Sequence, residues 1–246
     1  MSDAPLISVC SPVHNEEGNL VALVGRMRQT LDSRFAGRWE YVLVDDGSSD
    51  SSNEILKRLA AESPEIRVVE HGRNKGERAA WSTAFAAARG DIVVLLAADL
   101  QSPPEDVPAL VDVVLVDGFD VGTGLRRRRQ DAWFYSAATF VLTCFTRVVF
   151  GVPAKDVSSS FFAVRRRFVT DLPLIENDHR YILPILHRRG ASIREIPIHH
   201  YPRVSGQSHY RKSKVLRGIP ELLRFSLRLF RGYYVSFHGM ETSLRG

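Results

Sequence analysis

The sequence predicts an α/β fold in which a mainly parallel central sheet is flanked by helices. Short apolar runs alternate with amphipathic stretches of helical length in the N-terminal part of the chain, which is the pattern of βαβ units. Polar residues follow directly after each apolar run. Right-handed crossovers would bring these residues to one edge of the sheet, where open α/β sheets bind their ligands.

The elements can be assigned in chain order. Strands are predicted at Leu6–Ser11, Tyr41–Val44, Ile66–Val69 and Ile92–Leu96, with another in the run "FDVGTG". Helices are predicted at Leu20–Leu31, Ser49–Ala61 and Ala79–Arg89. Serines and an aspartate at the start of the second helix are suited to capping.

Charge and composition narrow the classes of partner. The formal net charge is +5, and most arginine clusters follow Arg126, which favours an anionic partner such as a phosphorylated substrate or a membrane surface. No nucleic-acid-binding module is recognisable, so we expect no nucleic-acid partner. Cys10 and Cys144 lack metal-ligand spacing and are interpreted as buried thiols in a reducing cytoplasm.

Membrane insertion is not expected from the sequence. The N-terminus lacks the features of a secretory signal. The longest apolar stretch, "WFYSAATFVLTCFTRVVFG", is interrupted by Thr146 and Arg147 and is too polar for a spanning helix. We interpret it as a helix that is buried or lies against another apolar surface.

The ligand class follows from the residues at the strand ends. A dinucleotide site requires G-x-G-x-x-G after the first strand and a P-loop ends in Gly-Lys-Ser/Thr, but this chain has "SPVHNEEGN" there. Acid-rich strand ends instead suit a nucleotide sugar, because the base and ribose need hydrogen-bond acceptors and the diphosphate needs a divalent cation.

Four motifs of the N-terminal half carry a family resemblance. The segments "SPVHNEEGNL", "YVLVDDGSSDSS", "GRNKGERAAWSTAFAAARGD" and "LLAADLQSPPE", in this order and spacing, resemble the donor half of family 2 glycosyltransferases, the inverting class with a GT-A fold. Later, "DVSSSFFAVRR" and "HHYPRVSGQSHYRKSK" resemble acceptor-side motifs of the dolichol-phosphate mannose synthase and polyprenyl-phosphate glycosyltransferase branch. The resemblance extends from about Ile7 to Lys214. We therefore expect a GT-A domain at residues 1–212 and a helical tail at 213–246.

The resemblance implies roles for the donor side. Pro12, Asn15 and Glu16 would frame the nucleotide, and Asp46 would accept hydrogen bonds from the base or ribose. Lys75 and Gly76 match the segment that passes beside the donor.

The resemblance also implies a metal site with one departure. Asp99 matches the second acid of the family's Asp-x-Asp motif, and Gln101 matches the glutamine that follows it in this branch. Ala97 stands where the family usually has the first acid. One aspartate, the donor diphosphate and waters can still complete the octahedron that Mg²⁺ prefers, so we expect Mg²⁺ or Mn²⁺, although Ala97 leaves open weak metal binding or a non-catalytic relative.

On the acceptor side, the resemblance implies that Arg203 and Ser208 lie in the segment that closes over the phosphates, and Asp156 is expected to position the sugar or phosphate. Arg126 begins an arginine run at the binding edge that could meet a lipid phosphate or a membrane. A phosphate acceptor is already ionised and needs no base, whereas a hydroxyl acceptor would need one. Asp178 or Asp156 would be that base, but a loop and helix cap is the preferred interpretation of the Asp178 segment.

The C-terminal run "KVLRGIPELLRFSLRLFRGYYVSF" predicts a basic amphipathic helix. Its apolar positions are spaced on one face: Leu216, Ile219, Leu223, Leu227 and Phe230. Such a helix could associate with a membrane surface or a membrane partner protein, or pack on the domain. Pro220 is expected to break its first turn unless the helix starts there.

Together these features predict a metal-dependent, inverting glycosyltransferase. It would move a sugar from GDP-mannose or a UDP-hexose to a polyprenyl phosphate, in the cytoplasm and peripheral to the inner face of the membrane. Two alternatives stay open: a family 2 enzyme with a soluble hydroxyl acceptor, and a non-catalytic nucleotide-sugar-binding protein.

Overall fold

A computed structural model describes residues 6–126, 147–202 and 213–235. Several predictions fall outside these residues: those for Arg203 and Ser208, for the arginines that follow Arg126, for Cys144, for most of the apolar stretch and for the last part of the tail.

The N-terminal part consists of alternating strands and helices. In chain order these are β1 (Ile7–Val13), α1 (Glu17–Phe35), β2 (Trp39–Asp45), α2 (Ser52–Glu62), β3 (Ile66–Glu70), α3 (Glu77–Ala87) and β4 (Ile92–Leu95). Each strand is short and largely apolar, as expected for strands covered on both faces. The predicted strands and helices of this part are confirmed, with shifts of a few residues at their ends.

The remainder adds three strands and several helices among the described residues. The longer elements are α4 (Val107–Leu115), β5 (Val121–Arg126), β6 (Phe162–Arg165), α5 (Ile182–Arg188), β7 (Ile193–Ile198) and α6 (Ser213–Phe230). The strand predicted from "FDVGTG" is β5, and the helix expected after the Asp178 segment is α5. The sequence analysis did not assign α4, β6 or β7.

The described strands form one sheet in the order β3-β2-β1-β4-β6-β5-β7. β1 pairs in parallel with β2 and β4, β2 pairs in parallel with β3, and β5 pairs in parallel with β7. β6 runs antiparallel to β4 and β5. The six other strands therefore end at the same edge, and the chain enters β6 from that edge.

Two apolar layers cover the sheet. One packs α3, α5 and α6 against one face around Trp81, Phe162 and Phe225. The other packs α1 and α4 against the opposite face around Leu23, Met27 and Val111. Cys10 is a buried free thiol, as predicted, and its burial raises the pKa of the thiol above its usual range.

Helix α6 packs on the domain through a face that the sequence analysis did not select. Phe225 and Leu229 are buried, and the Phe225 ring stacks on Tyr181 at a centroid distance of 4.4 Å. The helix runs through Pro220, so the expected break is not observed. In the described part of the chain, no helix has the length and apolar character needed to cross a membrane.

Candidate functional site

The predicted site residues that the structure describes lie along the edge where the parallel strands end. In spatial order along this edge, β2 brings Asp46, β1 brings Asn15, β4 brings Asp99 and β5 brings Arg126. Asp156 lies in the segment that leads into β6 at the same edge. Side chains that are far apart in the sequence therefore share one surface.

Asp46 is the centre of a hydrogen-bonded clamp. Its Oδ1 accepts the backbone N–H of Lys75 at 2.9 Å and a ring N–H of His71 at 2.7 Å. Its Oδ2 accepts the backbone N–H of Gly76 at 2.8 Å. Burial opposes the charge, but these hydrogen bonds outweigh it and hold the pKa of Asp46 below its usual range. Asp46 is therefore an anionic acceptor at neutral pH, and it fixes the loop that carries Lys75 and Gly76.

The loop after β1 is tied to the loop after β2. The backbone N–H of Asn15 donates to Ser48 Oγ at 3.0 Å, and Asn15 Oδ1 accepts the N–H of Ser49 at 2.8 Å. Asn15 has a positive φ of 56°, a conformation that asparagine tolerates better than most residues. Pro12 lies within β1, opposite Val44. Asn15 thus joins the loops after β1 and β2 through its backbone N–H and its side-chain oxygen.

Two further side chains join the loops of this edge. Glu16 Oε2 accepts the side-chain N–H of Asn19 at 2.6 Å, and the Glu16 N–H donates to Ser52 Oγ at 2.9 Å. His14 Nδ1 lies 3.1 Å from the carbonyl oxygen of Asp46. Glu16 therefore organises the start of α1, and its predicted contact with the nucleotide stays a prediction.

Gly47 allows the second and third loops to approach each other. Its φ is +66°, and a Cβ at this position would collide with the backbone of Arg73 and Asn74. Only glycine combines this backbone conformation with such a close approach without strain. The glycine of the "DDGSS" motif therefore has a packing role that the turn chemistry alone did not indicate.

Asp99 and Gln101 stand together where β4 leaves the sheet. Asp99 is 6% exposed, and its Oδ1 accepts the backbone N–H of Gln101 at 3.1 Å across Leu100, whose φ is positive. The carbonyl oxygen of Gln101 accepts the N–H of Tyr201 at 2.8 Å. This bond places Tyr201, two residues before Arg203, beside the turn at Asp99.

The chemistry of this turn fits a hard divalent cation. A carboxylate and a side-chain amide supply the oxygen ligands that Mg²⁺ and Mn²⁺ prefer. Within the described ranges, no group of three or more His, Cys, Asp or Glu side chains is arranged to hold a metal ion. With Ala97 in place of an acid, a cation here would depend on donor phosphate and water for most of its ligands.

Arg126 and Asp156 form a bidentate ion pair. Arg126 Nε donates to Asp156 Oδ2 at 2.6 Å, and Nη2 donates to Oδ1 at 2.8 Å. The backbone N–H groups of Lys155 and Asp156 donate to Glu195 Oε1 at 2.9 and 2.7 Å. The two residues were predicted separately, and nothing local in the sequence indicates their contact because they lie on different elements.

Asp178 belongs to a buried cluster that holds α6 on the domain. It is 1% exposed; its Oδ1 accepts Arg228 Nη2 at 2.6 Å, and its Oδ2 accepts the hydroxyl of Tyr234 at 2.6 Å. The backbone N–H of Ile175 also donates to Oδ2, at 3.0 Å. Because these bonds engage both oxygens of a carboxylate that solvent does not reach, this geometry argues against a base at Asp178. The expected cap is not observed, since Asp178 lies inside a 3-10 turn whose N-cap residue is Asn177.

The family model described as "Glycosyl transferase family 2" matches residues 8–172. Undecaprenyl-phosphate 4-deoxy-4-formamido-L-arabinose transferase from Aeromonas hydrophila subsp. hydrophila is 36% identical over 211 residues, which cover 85% of this chain and 64% of that protein. The protein of the same name from Salmonella choleraesuis is 35% identical over 206 residues, covering 83% of this chain and 62% of its own length. The chain thus spans less than two thirds of the length of these relatives.

Solved structures share the fold at low sequence identity. Glucosyl-3-phosphoglycerate synthase from Mycobacterium tuberculosis, in complex with Mn²⁺, UDP and glucosyl-3-phosphoglycerate, superposes with a TM-score of 0.68 at 21% identity, covering 92% of this chain and 79% of that one. The same synthase in complex with Mg²⁺ and UDP gives a TM-score of 0.65 at 20% identity, covering 92% and 79% of the two chains. The expected GT-A-like architecture, a mainly parallel mixed sheet flanked by helices, is confirmed.

Proposed function

The chain belongs to glycosyl transferase family 2, and we propose that it transfers a sugar from a nucleoside diphosphate to the phosphate of a polyprenyl phosphate, with inversion at the anomeric carbon. One observation carries this proposal. At the edge where the parallel strands end, Asp99 follows β4. It stands between the clamp around Asp46, which follows β2, and the Arg126–Asp156 pair beside β5 and β6. A donor laid from Asp46 to Asp99 would present its sugar towards Arg126.

An ionised acceptor suits the side chains at this edge. A phosphate oxygen attacks the anomeric carbon without giving up a proton, so positioning and charge neutralisation are the main requirements. Arginine binds phosphate oxygens in the bidentate manner that Arg126 uses with Asp156. Of the two candidate bases for a hydroxyl acceptor, Asp178 is buried under α6 and Asp156 is paired with Arg126.

Asp99 and Gln101 would hold a Mg²⁺ or Mn²⁺ ion together with the donor diphosphate. Such an ion would neutralise charge on the leaving diphosphate. By the family resemblance, Arg203 and Ser208 would bind the phosphates from the other side. Pro12, Asn15 and Glu16 would border the nucleotide, and Asp46 would bind its base or ribose.

The first test is a transfer assay with UDP- and GDP-sugars, with and without a short-chain polyprenyl phosphate, in Mg²⁺, Mn²⁺ or chelator. We expect nucleotide release that requires lipid and is abolished by chelator. Asp99→Asn and Arg203→Ala should each abolish transfer while circular dichroism and melting temperature stay near those of the wild type. Full activity of both variants would contradict the assignment.

Two other outcomes of this assay have clear meanings. Release of nucleotide that is indifferent to lipid but increases with soluble alcohols or saccharides would favour a hydroxyl acceptor. Donor binding without turnover of any acceptor would indicate a nucleotide-sugar-binding relative that has lost transfer activity because alanine replaces the first acid at position 97.

We also propose that the protein acts at the inner surface of a membrane, through the outward face of α6. Leu223, Leu227 and Phe230 are 57%, 56% and 58% exposed and recur at helical spacing, whereas the inward face holds Phe225 and Leu229. Arg231 is exposed at the end of the same helix. Apolar side chains with neighbouring arginines favour the interface of anionic bilayers. The Arg228–Asp178 contact would keep this face fixed relative to the domain.

Flotation with lipid vesicles tests the membrane proposal without donor or acceptor. We expect binding to vesicles of phosphatidylcholine with phosphatidylglycerol, weaker binding to phosphatidylcholine alone, and loss of binding in the Leu223→Glu/Leu227→Glu variant. Val116→Glu is the matched control, since Val116 is 72% exposed at the end of α4 and lies outside the proposed face. Equal binding of wild type and the double variant would contradict the proposal.

A further inference from the structure

His71 follows β3 at the edge where the parallel strands end, and each of its ring nitrogens lies within hydrogen-bond distance of a side chain. Nδ1 is 2.7 Å from Asp46 Oδ1, and Nε2 is 2.9 Å from the hydroxyl oxygen of Thr83 on α3. The His71 backbone N–H donates to the carbonyl oxygen of Asp45 at 2.8 Å. The residue is 7% exposed. One ring therefore connects the end of β2, the loop after β3 and the middle of α3.

The hydrogen-bond chemistry defines one proton of the ring. An ionised carboxylate only accepts hydrogen bonds, so Nδ1 must carry a proton to bond to Asp46. The Thr83 hydroxyl can both donate and accept, so it satisfies Nε2 in either state of the ring. The ring thus orients an acceptor rather than relaying a proton to a reacting atom.

The consequence is a directed carboxylate. Oδ1 of Asp46 is occupied by His71 and by the N–H of Lys75, whereas Oδ2 accepts only the N–H of Gly76 among the described residues. A carboxylate oxygen has about two acceptor positions. The remaining position on Oδ2 has no partner among the described residues, and His71 sets its direction by holding Oδ1.

We propose that His71 is a positioning residue for the nucleotide: through Asp46 it holds the acceptor oxygen and the loop at residues 73–76 in the arrangement that binds the donor. The ligand identity rests on the proposed function, whereas the connection itself rests on the two hydrogen bonds of the ring. The chain offers substitutions that remove these bonds one at a time. His71→Leu removes both, Thr83→Val removes the outer one, and His71→Asn retains a donor close to the position of Nδ1.

The experiment is titration calorimetry of UDP and GDP with the full chain and each variant, with melting temperatures recorded in parallel. We expect His71→Leu to weaken binding of the preferred nucleotide about tenfold or more, because a hydrogen bond to a charged group is worth about 1.5 to 3 kcal/mol. His71→Asn should recover most of the affinity, and Thr83→Val should lose only a few-fold. Transfer assays should show the same order in the donor KM, with kcat at saturating donor nearly unchanged.

His187→Leu is the control for loss of a histidine. His187 is in the last turn of α5, before the chain enters β7 from the opposite edge of the sheet, and its replacement should leave nucleotide affinity unchanged. Wild-type affinity in His71→Leu would overturn the positioning role, as would equal losses in His71→Leu and His71→Asn that follow only their melting temperatures. A wild-type chain that binds neither nucleotide would overturn the proposed function itself, and the two failures are therefore distinguishable.

Discussion

The proposed donor side and the proposed acceptor side lie along the same edge of the sheet and are organised by different interactions. On the donor side, the loops after β1, β2 and β3 are joined by hydrogen bonds that mostly involve backbone groups, as at Asn15 and Asp46. On the proposed acceptor side, Arg126 and Asp156 form an ion pair through their side chains, and the backbone N–H of Asp156 donates to Glu195. The first arrangement joins three loops through directional hydrogen bonds, whereas the second centres on a pair of opposite charges.

This difference suggests how the two substrates are recognised. A nucleotide requires directional hydrogen bonds, so a preformed frame lowers the ordering cost of binding. A phosphate group requires charge, and Asp156 holds the Arg126 guanidinium in the geometry that a phosphate would use. We expect substitutions on the two sides to separate donor effects from acceptor effects.

The largest effect is expected at Arg126. Arg126→Ala should lower kcat/KM for the lipid phosphate about 100-fold, the scale of losing a bidentate charged contact of about 3 kcal/mol, while the donor KM stays unchanged. Arg126→Lys should recover only part of the activity because lysine cannot bind bidentately. Steady-state kinetics with varied acceptor provide the measurement.

Arg167→Ala is the control for this substitution. Arg167 pairs with Asp120 at 2.7 Å, at the start of β5 and therefore at the opposite edge of the sheet. Its removal should change neither kinetic constant. If Arg126→Ala raised the donor KM as strongly as it lowers kcat/KM for the lipid phosphate, the distinction between the two sides would be wrong.

A smaller effect is expected at Gly47. Gly47→Ala forces the second and third donor loops apart and places a Cβ at positive φ, a strain of about 1 to 3 kcal/mol. We expect roughly tenfold weaker nucleotide binding and a lower melting temperature, with the acceptor KM unchanged. Gly25→Ala, in α1 with no neighbouring atom within 4 Å, should leave binding unchanged. Unchanged nucleotide affinity in Gly47→Ala would show that the donor loops are not rigid.

The smallest effect is a pH dependence of stability at Asp46. Its folded pKa lies below the usual range, so its stabilising contribution is present above the unfolded pKa of about 3.9 and is lost as pH falls through the folded value. Asp46→Asn should therefore be less stable than the wild type at pH 6, and the gap should narrow towards pH 3. Urea unfolding across this range measures the gap. A constant difference at all pH values would contradict an ionised clamp.

Much of the donor side was predictable from the sequence because its interactions are local to strand ends. Alternating apolar runs indicate the βαβ units, and parallel strands bring Asn15, Asp46 and Lys75 to one edge whatever the details of packing. The close approach at Gly47 and the His71–Thr83 contact were not predictable. Both depend on the distance between loops, which no residue type reveals.

The acceptor side was less accessible to sequence reasoning. Strand β6 reverses direction between β4 and β5, and it is this reversal that brings Asp156 to Arg126. The tail also shows what the sequence could not decide. Its helix was predicted, but the helix has apolar residues on two faces, and either face could pack on the domain. The structure packs Phe225 inward because Tyr181 and Phe150 offer aromatic partners.

The sequence by itself determined the α/β fold class, the family and the set of polar residues at the strand ends, because hydrophobic periodicity and motif spacing are properties of the chain. Tertiary structure alone decided which of these residues touch: Arg126 with Asp156, Asp178 with Arg228, and His71 with both Asp46 and Thr83. The physical reason is the distance along the chain over which each interaction acts. Backbone propensity acts over a few residues, whereas a hydrogen bond between side chains depends on the packing of elements that the chain order does not place side by side.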